Sequence, residues 1–230
     1  DPDFAPVEFY ENGEFKGVVP DLVKYINENT KLNIKLVKYK TWDDVIKGIK
    51  DNEIVMLGAV SKSENRKDFL EFSKDFLTIP NVLVTRKNNN MNIKNDFSNI
   101  KLAVVENSAK HDLVLENFPN ANIITVKNIQ KGLEVVSIGN IDAYLGSLTQ
   151  MSYYIDKYKF SNLKIKKKLD DSLDYSFDIH FAVQKNNHVL KGIINKILIN
   201  MPKDKKESII NKWMGLNTFE YFVNKDAVIK

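Results

Sequence analysis

The segment Gly58-Ala59-Val60-Ser61-Lys62-Ser63-Glu64-Asn65-Arg66 holds the residue types best suited to gripping a small anion. It follows a short apolar run ending at Leu57, so backbone N–H groups and serine hydroxyls lie in the loop beyond a strand. A lone arginine stands five residues past Ser61, and its planar fork matches a carboxylate through two parallel hydrogen bonds. A surface salt bridge would use the same residue type, and spacing alone does not choose between the two. Other chemistry is scarce. The chain has no phosphate-binding glycine loop, no G-x-S-x-G elbow and no H-E-x-x-H. Its three histidines, His111, His180 and His188, are spaced for no metal site, and His111 beside Asp112 reads as a surface residue. Without cysteine, thiolate nucleophiles, disulfides and cysteine-ligated metals are excluded. The expectation is a protein with no cofactor, no metal and no catalytic residue.

What must position the arginine is an alternation of strands and amphipathic helices, the pattern of α/β architecture. After a turn at Asn12-Gly13, Val19, Leu22, Val23 and Ile26 mark a helix starting near Pro20-Asp21. Leu32, Ile34 and Leu36 alternate with polar residues, which predicts a strand. Thr41 reads as the N-cap of a helix burying Trp42, Val45, Ile46 and Ile49, and Ile54 to Leu57 as a short buried strand. The scheme then repeats. Strands are predicted over Lys101 to Val105, Asn122 to Val126 and Ile141 to Leu145. Helices are predicted from the Asn107-Ser108 cap to Phe118, over the stripe Ile129, Gly132, Leu133 and Val136, and over Leu148, Met151, Ser152 and Ile155.

Two similar α/β halves in 230 residues predict two lobes. Val82 to Thr85 reads as a strand entering the polar run Arg86 to Asn90, taken as a crossover, and Ile179 to Gln184 as the return strand. The last two helices carry Val189, Leu190, Ile193, Ile194, Ile197 and Leu198, then Ile209, Ile210 and Trp213 before Gly215. If these pack on the first lobe, the chain crosses twice, which makes a hinge and a cleft. The expected division is 1–86 with 181–230 against 87–180. His180 then lies near the proposed cleft.

Composition narrows the partners. Lys and Arg number 34 against 30 acidic residues, a surplus of four, and the densest cluster, Lys164 to Lys168, reads as the solvated face of a strand, so no nucleic acid is expected. No apolar stretch is long enough for a membrane helix. The opening Asp1-Pro2-Asp3 carries no signal-peptide pattern and reads as a mature form or an excised piece.

Pro6-Val7-Glu8-Phe9, Gly13, Gly17, Trp42, the Gly58–Arg66 loop, Phe72-Ser73 and Gly139-Asn140-Ile141-Asp142-Ala143 follow one another in an order that resembles the family-3 solute-binding proteins, the Venus-flytrap receptors. The likeness covers Asp1 to about Gly215. More narrowly, Asp1 through Phe9, Trp42, Asp142 through Leu148, Tyr153-Tyr154-Ile155, Asn162 through Ile165, Phe181-Ala182-Val183 and Asn211-Lys212-Trp213 resemble the flytrap sensor modules of histidine kinases and cyclic-di-GMP enzymes. The resemblance implies a type II periplasmic-binding-protein-like α/β fold of two lobes, each a mainly parallel sheet flanked by helices, with two hinge crossovers. It also implies an extracytoplasmic (periplasmic) location, tethered to the inner membrane in the sensor case.

For the site, the resemblance implies that Asp1 supplies an acidic group and that Phe4 and Trp42 form aromatic walls, each ring reading equally well as core. Ala59 and Ser61 would present backbone and hydroxyl to a ligand carboxylate gripped by Arg66, and Ser108 and Ala109 would offer a helix N-terminus. Amino-acid binders of the family carry Asp where Ser147 stands, to pair with an α-ammonium. Here either another acid, Asp178 or Asp1, substitutes, or the ligand is a carboxylate without an amine. Asn65 replaces the glutamate that commonly precedes the arginine. The implied function is an extracytoplasmic sensor of an amino acid or small carboxylate, signalling by closure to a fused kinase or diguanylate cyclase. The alternative is a free binding protein serving the permease of an ABC importer. A remoter one is an enzyme like cyclohexadienyl dehydratase, for which Glu106 and His180 are the candidate acid–base groups.

Overall fold

The structure, a computed structural model, describes residues 3–94, 96–166 and 177–214. The expected roles of Asp1, Lys167, Lys168 and Gly215 lie outside the described residues. The chain forms two compact units, Asp1–Thr78 with Asp178–Lys230, and Ile79–Phe177. The polar run Arg86 to Asn90 therefore belongs to the second unit and is not a crossover. Arg86 Nη1 donates to the Val136 and Ile141 carbonyls at 2.8 and 2.9 Å, and the Lys87 N–H donates to the Asn162 carbonyl. The chain passes between units within two strands, β5 (Leu70–Ile79) and β11 (Phe177–Gln184).

The first unit opens with an antiparallel meander, β1 (Asp3–Phe4), β2 (Glu8–Glu11) and β3 (Glu14–Lys16). Asn12 and Gly13, with φ of 53° and 86°, close the β2–β3 turn, a two-residue loop of positive φ in which Asn-Gly carries little strain. Gly17, with φ of 120°, leads into α1 (Val18–Glu28); a Cβ there would lie 2.4 Å from the Val7 carbonyl oxygen. α1 buries Val18, Val19, Leu22, Val23 and Ile26, the predicted stripe. α2 (Trp42–Lys50) starts from Thr41, whose hydroxyl accepts from the Asp44 N–H while the Asp44 carboxylate accepts from the Thr41 N–H, a full capping box.

β4 (Met56–Ser61), β11 and β5 form a sheet in the order β4-β11-β5, with β11 antiparallel to β4. Val45, Ile49, Leu57, Val60, Leu70 and Ala182 pack as its core on the α2 side. Phe76 and Phe181, both essentially without exposure, meet at 5.0 Å between ring centroids. α7 (His188–Asn200) and α8 (Lys203–Trp213) complete the unit.

The strand expected over Leu32 to Leu36 is not formed. The Asn27 side chain takes both backbone groups of Ile34, accepting from its N–H at 2.9 Å and donating to its carbonyl at 3.0 Å, and the Thr30 hydroxyl accepts from the Leu32 N–H. A side-chain amide thus occupies the edge that a neighbouring strand would use. Val189 is 76% exposed, off the apolar stripe on which it was placed, while Ile194 alone of α7 is fully buried.

Two polar anchors tie the late helices down. Asp21, in the first turn of α1, accepts from Trp213 Nε1 at 2.7 Å and from Lys212 Nζ at 2.8 Å, and the Trp213 ring meets Phe9 edge-on. Trp213→Phe keeps the ring contact and removes one donor to a charged acceptor. We expect a loss of about 1.5 kcal/mol, or roughly 3–6 °C in Tm, read by thermal unfolding. Glu71 on β5 accepts from Lys191, from His188 Nδ1 at 3.0 Å and from the Asn186 N–H at 3.1 Å. These donors, Lys191 first, lower its carboxyl from 4.5 to about 2. Its contribution is complete above pH 4.5 and is lost as pH falls toward about 2. Acid titrations of stability should therefore be shallower across that window in Glu71→Gln than in the parent.

The second unit holds one five-stranded sheet. Its strands are β6 (Asn81–Arg86), β7 (Lys101–Val105), β8 (Asn122–Val126), β9 (Ala143–Ser147) and β10 (Leu163–Lys166), in the order β10-β6-β9-β7-β8. β8 and β9 flank β7 in parallel, whereas β6 pairs antiparallel with β9 and β10 with β6, so the sheet is mixed. The parallel part arises where α4 (Ala109–Asn117) and α5 (Ile129–Ser137) carry the chain over the sheet between strands. β9 starts two residues later than expected, because the Asp142 carboxylate is used to accept from the Lys101 N–H. α6 (Leu148–Lys157) follows directly, and Leu83, Phe97, Leu102, Val104, Val114, Phe118 and Leu145 make the core.

Candidate functional site

In the first unit the structure brings Trp42, Ser61 and Arg66 together. β4 ends at Ser61, and Ala59 and Ser61 on it are 3% and 7% exposed. Ser63 begins the short helix α3 (Glu64–Lys67), which returns Arg66 toward the strand end. Arg66 Nη1 donates to the Ser61 carbonyl at 3.0 Å, and its guanidinium carbon lies 5.3 Å from the centre of the Trp42 ring. The residue is only 8% exposed. Guanidinium does not deprotonate, so the end of β4 carries a fixed, largely desolvated positive charge with one face on an indole. Such a group, held in one orientation, takes a planar carboxylate side-on. Trp42, half-buried at the start of α2, touches both the apolar cluster and the cation. Phe4 is 7% exposed in β1, and its strand pairs Phe4 with Glu8.

His180 is part of the interior of this unit. It is 2% exposed, its Nδ1 lies 2.8 Å from the Ser73 carbonyl, and its ring stands edge-on to Phe72. A carbonyl can only accept, so Nδ1 carries the proton in this contact. Burial, then the charge of Lys62, lowers its pKa and so favours the neutral ring. The candidate acid–base residue is thus a satisfied core histidine. Asp178 is exposed on β11, and its Oδ1 accepts from the Thr78 hydroxyl at 2.7 Å; it precedes Ile179, the β11 partner of Ser61.

In the second unit, Ser108 is the N-cap of α4, its hydroxyl accepting from the His111 N–H at 3.2 Å, and Ala109 is the first helical residue. His111 is half-buried beside this cap, its Nδ1 accepting weakly from the Asn107 N–H. Ser147 ends β9 and precedes α6, and is 2% exposed. Its hydroxyl does not cap the helix. It donates instead to Gln150 Oε1 at 2.7 Å. Asn81 pairs with Ser147 across the β6–β9 ladder, and Thr149, also 2% exposed, has a buried hydroxyl with no partner among the described residues. Among the described residues, Ser147 meets the neutral side chain of Gln150 and pairs with the neutral Asn81, and no acidic residue lies in the first turn of α6. Gln150 and Asn81 were not singled out from the sequence. The spacing Ser147-Leu148-Thr149-Gln150 is a capping-box pattern and could have drawn attention to Gln150.

Among the described residues, no cluster of His, Asp or Glu is arranged to hold a metal ion, and no helix is long and apolar enough to cross a membrane.

The chain is similar to the virulence sensor protein BvgS of Bordetella pertussis, 28% identical over 214 residues that cover 92% of this chain and 17% of that protein. It thus spans about a sixth of the length of such sensor relatives. The crystal structure of the Bordetella pertussis BvgS periplasmic VFT2 domain superposes with a TM-score of 0.81 at 27% identity, covering 91% of this chain and 89% of that domain. The amino-acid-binding protein AabA of Dichelobacter nodosus is 22% identical over 92% of this chain and 85% of its own length. These likenesses give the two-lobed, periplasmic-binding-protein-like α/β fold that the sequence implied. Residues 1–216 match the family described as bacterial extracellular solute-binding proteins, family 3, and the chain belongs to that family.

Proposed function

We propose that the chain is an extracytoplasmic module that binds a small carboxylate-bearing solute and reports its presence to a fused signalling domain, closure of its lobes on the solute being the signal. The observation that carries the reading is the guanidinium of Arg66, 8% exposed at the end of β4 and lying over the Trp42 ring. Arg66 takes the carboxylate, Ser61 and Ala59 line its approach, and Trp42 with Phe4 walls the apolar part of the solute. In the second unit, Ser108 and Ala109 offer an anion the N–H groups of the first turn of α4. Asp178, engaged by Thr78, is a poor replacement for an acid at Ser147. The neutral Gln150 and Asn81 beside Ser147 favour a solute whose far end is uncharged or anionic over an α-amino acid.

A thermal-shift screen of amino acids and small carboxylates tests this. Carboxylates without an amine should raise Tm, and α-amino acids should do so less or not at all. A panel in which no carboxylate stabilises the protein rejects the reading. AabA, a binding protein matched over most of its own length, supports a second reading, a free receptor serving an importer. The complete reading frame separates the two, because a kinase or cyclase domain downstream excludes the free receptor.

A further inference from the structure

We infer that the solute is a monocarboxylate with an apolar tail, and that the tail lies in a cavity beside β4; this rests on Arg66 taking the carboxylate, as proposed above. The cavity has a volume of about 450 Å³, and every residue lining it belongs to the first unit. It lies between the segment 32–36, which Asn27 holds and which joins no sheet, and β4, the edge strand of its own sheet. α1 contributes Val19 and Val23 to its wall, α2 Trp42 and Val45, β4 Leu57, and the held segment Leu36. Leu36, Val37 and Val55 line it and are exposed, so it opens to solvent along an apolar rim.

Two observations join the cavity to the anion site. Trp42 is common to both, since it lines the cavity while its ring lies 5.3 Å from the guanidinium carbon of Arg66. Gly58 also lines the cavity, and three residues on in β4 stands Ser61, whose carbonyl accepts from Arg66 Nη1. Three strand residues span about 10 Å, and an extended chain advances about 3.6 Å per three bonds, so a tail of roughly eight carbons reaches from the guanidinium into the cavity. The walls decide what that tail is. The volume is in the range of small-molecule sites, and the side chains named are apolar. Glu8, 8% exposed, and Glu53, which accepts from the Tyr39 hydroxyl at 3.0 Å, also line the cavity, as does the exposed Lys35. A second carboxylate at the end of the tail would lose its water beside the buried Glu8, so a dicarboxylate is disfavoured.

Titration calorimetry of the parent against butanoate, hexanoate, octanoate, octanedioate and 1-octanol tests this. Affinity should rise about fourfold per methylene from butanoate to octanoate. Octanedioate and 1-octanol should each bind about tenfold more weakly than octanoate, or worse. Leu36→Glu, at an exposed wall position, should flatten the series, so that octanoate binds that variant no better than butanoate does. Arg66→Ala should lose affinity at every length. Binding that depends on Arg66 and not on chain length overturns the inference and leaves the carboxylate anchor standing. A gain with length that persists in Arg66→Ala, or that 1-octanol shares in full, overturns it too, because the cavity then acts apart from the anchor. If no carboxylate of any length binds, the inference and the reading beneath it fall together.

Discussion

Arg66→Ala abolishes the thermal stabilisation that a small carboxylate confers on the parent chain. A ligand at about 100 times its Kd adds about 2.7 kcal/mol to the native state, worth roughly 5–10 °C in Tm for a protein of this size. The variant should show none of it at the same concentration. The expectation follows from how the guanidinium is held. It sits at the end of β4 with Nη1 on the Ser61 carbonyl and one face on Trp42, so its direction is fixed before any ligand arrives. Arg66→Lys keeps the charge and loses the planar fork and the stacking, and should retain only part of the shift. The ligand-free Tm of each variant separates the two contributions, because the Ser61 and Trp42 contacts act on the fold with or without ligand. A full shift in Arg66→Ala would remove the anchor and leave the fold untouched.

The parts of the molecule that were legible in the sequence are those set by local rules. Thr41 caps α2 and Ser108 caps α4, because a hydroxyl or carboxylate placed two or three residues before free N–H groups satisfies them wherever the chain goes next. β7 and β8 run over the predicted residues, and the stripe Ile129, Gly132, Leu133 and Val136 is the buried face of α5. Arg66 stood out by its place beyond a strand end, and the structure buries it there beside Ser61 and Trp42.

What was not legible depended on partners distant in sequence. Leu32 to Leu36 alternates as a strand should, yet Asn27 on the preceding helix captures Ile34. His180 looked like a group near a cleft, but the Ser73 carbonyl and Phe72 enclose it. The polar run at Arg86 looked like a connection, and only Val136 and Ile141 reveal that its arginine is a strut of the second unit. Periodicity reports that a segment could pair, not whether a side chain reaches it first.

Ser147→Asp should give the chain a response to α-amino acids that the parent lacks. Ser147 is 2% exposed and bonded to Gln150, so a solute group facing it meets neutral dipoles. An ammonium there would lose its water without gaining a counter-charge, a cost of several kcal/mol. Aspartate supplies that charge. It is also compatible with the position, which precedes the first turn of α6, where a carboxylate caps free N–H groups and is favoured by the helix dipole. The fold should therefore accept the substitution with little change in Tm. Close charge pairs in buried settings couple by about 1.5 kcal/mol or more, so affinity for an α-amino acid should rise at least tenfold over the parent, while carboxylates without an amine should bind more weakly by repulsion. Ser147→Ala provides the control, since it breaks the Gln150 contact without adding charge and should gain no amino-acid response. Titration calorimetry of the three proteins against one amino acid and its des-amino analogue reads the outcome directly. If Ser147→Asp folds as the parent does and still prefers the des-amino compound, selectivity is set elsewhere, and Ser147 does not face the solute.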